Sequence, residues 1–176
     1  MRRRLTALAM LGMLVWTANA GPARPGAWAQ VGAEQDTRPE EDLAIIVNKS
    51  NPVEALSMAE LRKIFICEQT YWPNGRKITV TMRDRGDSER EAVLSSIYRM
   101  SEKDFEQYFL HAQFTGQLQS GPKTLNTSTG VRRFVFNAPG AIGYVRASEA
   151  DDTVKIVRID GHRPGEKGYR IKLRAL

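Results

Sequence analysis

The pattern of apolar and polar positions divides residues 43 to 173 into short strands and amphipathic helices in mixed order. Leu43-Ala44-Ile45-Ile46-Val47 is a continuous apolar run, the pattern of a strand covered on both faces. Asn48 to Pro52 interrupt it. Ser57 and Glu60 then stand three apart at the head of an apolar periodicity, as in a capping box where each side chain satisfies a free backbone N–H. Met58, Leu61, Ile64 and Phe65 recur at helical spacing, which predicts a short helix ending near Ile66. Trp72-Pro73-Asn74-Gly75 spells a turn. Ile78, Val80 and Met82 alternate with Thr79 and Thr81, a strand that runs into Arg83.

The polar loop Arg83-Asp84-Arg85-Gly86-Asp87-Ser88 leads directly into a helix whose buried face is Val93, Leu94, Ile97 and Tyr98. Ser101 caps the next helix, in which Phe105, Tyr108, Phe109 and Ala112 keep the i, i+3, i+4, i+7 spacing. Gly116 to Asn126 reads as a loop. A further helix starts at Thr127 or Ser128, buries Val131, Phe134 and Val135, and stops at Pro139-Gly140. Ala141–Val145, Val154–Ile159 and Tyr169–Leu173 read as closing strands. This order predicts a three-layer α/β domain over residues 43–176, a mixed central sheet flanked by helices. No internal repeat interrupts it.

The first 29 residues follow a different logic. Met1 to Arg4 is basic, Leu5 to Trp16 is apolar but short for a bilayer span, and two small-x-small sites follow. They are Ala18-Asn19-Ala20 and Ala27-Trp28-Ala29. The segment reads as a secretory signal peptide cleaved after residue 20 or 29, which implies a periplasmic or secreted protein with no membrane span after processing. Residues 30–42 read as a polar, acidic, disordered lead-in.

That division changes the meaning of the charge. The formal charge of +6 includes Arg2, Arg3, Arg4 and Arg24, with no acid before residue 30. Without them the charge is +2, and no basic run is interleaved with aromatics, so nucleic acid is excluded as the expected partner. One cysteine, Cys67, and two histidines, His111 and His162, rule out an intramolecular disulfide and a Cys/His zinc cluster. Ser/His/Asp order, P-loop and GxGxxG patterns are absent, so neither an enzyme nor a cofactor is expected.

Candidate chemistry concentrates between Lys77 and Arg99. A helix N-terminus presents unpaired N–H groups and partial positive charge, and so attracts anions. Ser88 adds a hydroxyl there, Gly86 shapes the loop, and Arg83 offers a planar guanidinium fork. Arg90 sits in the first helical turn, which is unfavourable for a cation unless an anion or an acid compensates it. The plainer alternative is a solvated loop with Ser88, or Asp87, as an N-cap. Asp84, Asp87 and Glu89 oppose an anion unless most of them point away. Arginines facing a concavity favour an anion site, whereas acids facing inward favour a surface for a protein partner. Trp72 fits either a ligand stack or a lid over the core. Cys67 follows a helix end, where the dipole raises thiol pKa, so no reactive nucleophile is expected.

Several stretches together resemble the phosphate-binding periplasmic proteins of ABC transporters. Ile46-Val47-Asn48, Leu56-Ser57-x-x-Glu60-Leu61-x-x-Ile64-Phe65 and Trp72-Pro73-Asn74-Gly75 are similar to that family's strand, helix and turn. Thr129-Gly130-Val131 through Val135, then Pro139-Gly140-Ala141-Ile142-Gly143-Tyr144-Val145, match its helix and following strand. The resemblance covers about residues 43–160. It implies a periplasmic-binding-protein-like (type II) fold, phosphate or a similar oxyanion as ligand, and an ABC transporter permease as partner. It also implies Arg83, Gly86, Ser88 and Arg90 as ligand-binding positions, with no catalytic or metal residues. Two departures stand out: Asp87-Ser88-Glu89 replaces the family's Ser-Gly-Thr, and only one of its two lobes is present. A homodimer or another partner would have to complete the ligand shell.

Overall fold

The computed structural model describes residues 41 to 173. The expected signal peptide and nearly all of the expected lead-in lie outside the described residues. In chain order the elements are β1 (Glu41–Val47), β2 (Ala55–Leu56), α1 (Met58–Phe65), β3 (Thr79–Arg83), α2 (Ser88–Val93), α3 (Glu102–Phe114), β4 (Lys123–Leu125), α4 (Ser128–Asn137), β5 (Ala141–Arg146), β6 (Lys155–Ile156), β7 (Arg158–Ile159) and β8 (Lys172–Leu173). A π-helical turn, Leu94–Tyr98, continues α2 toward α3.

The main sheet runs β4-β3-β5-β1-β6, with β8 pairing the first residues of β1. β3 is parallel to both β4 and β5, while β1 is antiparallel to β5, β6 and β8. The sheet is therefore mixed, as expected. The apolar run of β1 is buried on both faces. Leu43, Ile45 and Val47 join one core with α1, α2, the π-turn and α3; Ala44 and Ile46 join a second core with Val131 and Val135 of α4. Period-two alternation thus sends one strand's side chains into two layers of helix. Three layers result.

Caps behave as the sequence predicts. Ser57 and Glu60 form the capping box of α1, and Ser101 forms another with Asp104 on α3. Trp72 is buried, and its indole N–H donates to the Gly140 carbonyl at 3.0 Å, which makes it a lid over the core. The Gly-Ala-Ile-Gly-Tyr stretch has a steric cause. A Cβ on Gly140 would sit 2.1 Å from the Lys77 carbonyl oxygen, and one on Gly143 would sit 2.3 Å from Thr81 Oγ1 and 2.8 Å from Val131 Cγ1. The chain entering β3 at Gly140, and β3 together with α4 at Gly143, approach so closely that only hydrogen fits.

Four details differ from the sequence expectation. The expected loop 116–126 contains β4, an edge strand whose Lys-Thr-Leu composition carries no apolar alternation. Val154–Ile159 is two strands, because the chain changes partners at Val157: its N–H donates to Ile45, while Arg158 donates to Glu54. β7 then pairs in parallel with β2, a two-residue strand too short to leave a pattern. Only Lys172–Leu173 of the last expected strand pair as β8, although Tyr169 and Ile171 are buried beside Leu43. β1 also starts two residues early, since Glu41 and Asp42 pair with β8. No helix among the described residues is long and apolar enough to cross a membrane.

Candidate functional site

Because β3, β4 and β5 are parallel, their carboxyl ends lie at one edge of the sheet, where open α/β folds place ligands. Arg83 ends β3, Arg146 ends β5, and Leu125 of β4 is followed almost at once by the start of α4. An open cleft of about 520 Å³ lies at this edge, lined by Arg83, Glu89, Thr127, Ser128, Thr129 and Arg146 among others.

Arg83 is held from both sides. Its backbone N–H donates to the Tyr144 hydroxyl at 2.9 Å, and its carbonyl accepts from Arg90 Nη1 at 2.8 Å. Its guanidinium gives Nη2 to Asp87, yet Nε and Nη1 have no partner among the described residues although Arg83 is only 8% exposed. Unpaired buried N–H groups on a cation are costly, and an acceptor that reached them would relieve that cost.

Arg90 lies behind Arg83 and makes a fork with Glu102: Nε to Oε2 at 2.9 Å and Nη2 to Oε1 at 2.6 Å. Its guanidinium stacks 4.9 Å above the Phe105 ring. The acid that compensates this first-turn cation is therefore Glu102, from α3. Arg90 supports Arg83 from the rear and does not line the cleft. Gly86 is exposed and takes φ +81, the left-handed conformation its turn requires. Ser88 is the first helical residue and Asp87 the N-cap, with the Asp87 carboxylate spent on Arg83 rather than on the helix end. The Ser88 hydroxyl is 3.4 Å from Glu89 Oε2. Arg85 and Asp84 point outward, Arg85 to Glu106 and Glu102 on the surface.

Three participants go beyond the sequence reading, which named Glu89 only as an acid opposing an anion and did not single out the other two. Glu89 is buried and accepts from Arg146 Nε at 2.7 Å, while Arg146 Nη1 also faces Glu41 at 3.4 Å. The third is the N-terminus of α4, where Thr127 caps Gly130 and Ser128 is buried. Three consecutive hydroxyl residues at a helix start were the available signal. Arg146 had one too: it stands at the end of a strand matching the one that ends in Arg83.

Charge coupling makes the site sensitive to pH. Burial would raise the Glu89 pKa, but a hydrogen bond with Asp87, which donates only when protonated, and one from Arg146 outweigh it and hold the carboxyl at about 2. Asp87 moves up, first through burial and then through Glu89, against the pull of Arg83. The signs are opposite. A depressed acid stabilises the fold above its ordinary value of 4.5 and loses that contribution as pH falls toward 2, whereas the raised Asp87 loses its contribution as pH rises through its folded value. Glu89→Gln is expected to flatten the fall in Tm between about pH 4.5 and 2, measured by thermal melts across that range. An acid limb identical to wild type would show that Glu89 is not the linked group. Burial pushes the Cys67 thiol up, in keeping with an unreactive cysteine.

Comparison with known proteins places this architecture. The model of the PBP superfamily domain matches residues 41–168. Among solved structures, the chain is similar to one described as a phosphate ABC transporter substrate-binding protein from Clostridium perfringens, with phosphate bound. The identity is 25% and the TM-score 0.56, over 69% of this chain and 46% of that one. It is similar in fold to an ABC-type phosphate transport receptor from Vibrio cholerae, at 21% identity and TM-score 0.58, over 71% of this chain and 48% of that one. It is likewise similar to PstS from Borrelia burgdorferi, at 18% identity and TM-score 0.62, over 76% and 55%. The chain thus spans about half the length of the structures it matches. With its three-layer mixed sheet and a family match over most of its length, the chain belongs to the PBP superfamily domain family.

Proposed function

We propose that this chain is an extracytoplasmic solute-binding lobe for phosphate or a similar oxyanion, serving an ABC transporter permease and acting without catalysis. The observation that carries the reading is Arg83, which lines a polar cleft at the carboxyl end of β3 and whose buried Nε and Nη1 have no partner among the described residues. Gly86 and Ser88 shape the loop beside it, and Arg90 fixes the Arg83 backbone from behind. The solved structures above are named as phosphate transport receptors or substrate-binding proteins, which supports the ligand class and the transporter partner. Calorimetric titration with phosphate, sulfate and molybdate tests the reading. Binding of at least one is expected, and no heat from any of them contradicts it.

The basic, apolar and small-x-small order of residues 1–29 supports export. Intact mass of the protein from its native envelope is expected to lack the first 20 or 29 residues. A full-length chain recovered from the cytoplasm would contradict this.

A second reading has its own observation. Asp87 already occupies one edge of Arg83, and Glu89 and Glu41 occupy Arg146, so the chain supplies its own carboxylates where a ligand's oxygens would sit. A protein partner presenting polar groups to this edge is the alternative, and the same titrations separate the two.

A further inference from the structure

We propose that the cleft takes a small zwitterion, with its oxyanion group on Arg83 and the α4 N-terminus and its ammonium on Glu149 and Glu41. This deepens the reading above and rests on Arg83 being the anion seat.

The donors converge on one end. Arg83 brings two nitrogens, Nε and Nη1, that have no partner among the described residues. The ten-residue α4 brings the N–H groups of Ser128 and Thr129, its first two positions, which have no acceptor within the helix. The Gly130 and Val131 N–H groups, by contrast, are taken by Thr127. Ser128, only 9% exposed, has a hydroxyl with no protein partner among the described residues. A helix end of this kind, aided by a buried cation, is an anion seat.

The acids in the same cleft are hard to reconcile with a bare dianion. Glu41, Glu89 and Glu149 line it against Arg83 and Arg146, an excess of one negative charge before Asp87 is counted. Arg146 is committed to Glu89 at 2.7 Å and to Glu41 at 3.4 Å. Glu41 also accepts from Ser148. Glu149 acts on Arg146 only through its charge, and its Oε2 is buried and unpartnered among the described residues. One cleft is therefore lined by a cation with two unpartnered nitrogens and a carboxylate with one unpartnered oxygen among the described residues. A ligand carrying both charges satisfies each, whereas an inorganic dianion satisfies the first and is repelled by the second. The size agrees: about 520 Å³ is in the range of small-molecule sites and well beyond what one tetrahedral ion fills.

The test is calorimetric titration of the chain with 2-aminoethyl-, 3-aminopropyl- and 4-aminobutylphosphonate, each against its amine-free alkylphosphonate, and with inorganic phosphate. At least one amine is expected to bind about tenfold or more tightly than its alkyl counterpart, the value of one charge-assisted hydrogen bond. Glu149→Gln should remove that preference without weakening the alkylphosphonate, and Arg83→Ala should weaken both. Alkylphosphonates and phosphate that bind through Arg83 with no preference for any amine would overturn the zwitterion while leaving the oxyanion reading intact. A preference unchanged by Glu149→Gln would overturn the assignment of the ammonium seat. Failure of every compound to bind would overturn the zwitterion, and the oxyanion reading with it if sulfate and molybdate also give no heat.

Discussion

Arg90→Ala is expected to destabilise the fold by about 3 kcal/mol, the low end for breaking a buried ion pair, because Glu102 keeps 27% exposure. The loss has four parts. Glu102 forfeits a two-bond fork, the Arg83 carbonyl forfeits its Nη1 donor, and Phe105 forfeits the guanidinium stacked on it. The alkyl stem also leaves a gap between α2 and α3. Urea unfolding of the single variant, beside the double variant Arg90→Met with Glu102→Leu, separates charge from packing. The double variant is expected to recover most of the loss, since an apolar pair can replace a buried ion pair at little cost. A double variant as unstable as the single one would mean that packing, or the Arg83 carbonyl, carries the effect.

Tyr98 gives the second large effect, with opposite signs for two substitutions. The side chain is fully buried, with ring centroids of Phe105 at 5.0 Å, Phe65 at 5.7 Å and Phe109 at 6.3 Å. Removing it leaves a cavity where α1, the π-turn and α3 meet, so Tyr98→Ala is expected to cost about 3–5 kcal/mol. Its hydroxyl, however, is buried with no partner among the described residues, and burial pushes its pKa well above the ordinary tyrosine range. Tyr98→Phe deletes only that unsatisfied group and is expected to raise stability by about 1 kcal/mol. Thermal or urea melts of both variants decide it. A destabilised Tyr98→Phe would reveal a hydrogen bond to the hydroxyl, such as one through buried water.

Much of the fold was legible because its signals were local. The apolar run of β1, the Ser57 and Ser101 caps and the alternation into Arg83 are each dictated within a few residues, and each stands in the structure. β4 was not legible, because an edge strand with two exposed residues needs no apolar pattern. The splitting of 154–159 was hidden for another reason: Val157 bonds to β1 and Arg158 to Glu54, a choice set by partners a hundred residues away.

The site was half legible. Arg83 could be found from its own strand–loop–helix context. The pairing of Arg146 with Glu89 could not, because their meeting depends on β3 and β5 lying side by side. The role of Glu102 was hidden likewise, since α3 delivers it to Arg90 across twelve residues. Sequence spacing reveals charges but not which of them will neutralise one another.

The central claim is that Arg83 is an anion seat, and titration of wild type, Arg83→Ala and Arg83→Lys with phosphate tests it most directly. Losing a charge-assisted hydrogen bond costs roughly 1.5–3 kcal/mol, so Arg83→Ala should weaken binding by roughly ten- to a hundredfold. Arg83→Lys should recover only part of that, since an ammonium cannot reproduce the planar fork. Wild-type affinity that Arg83→Ala leaves unchanged would contradict the account and place the site elsewhere.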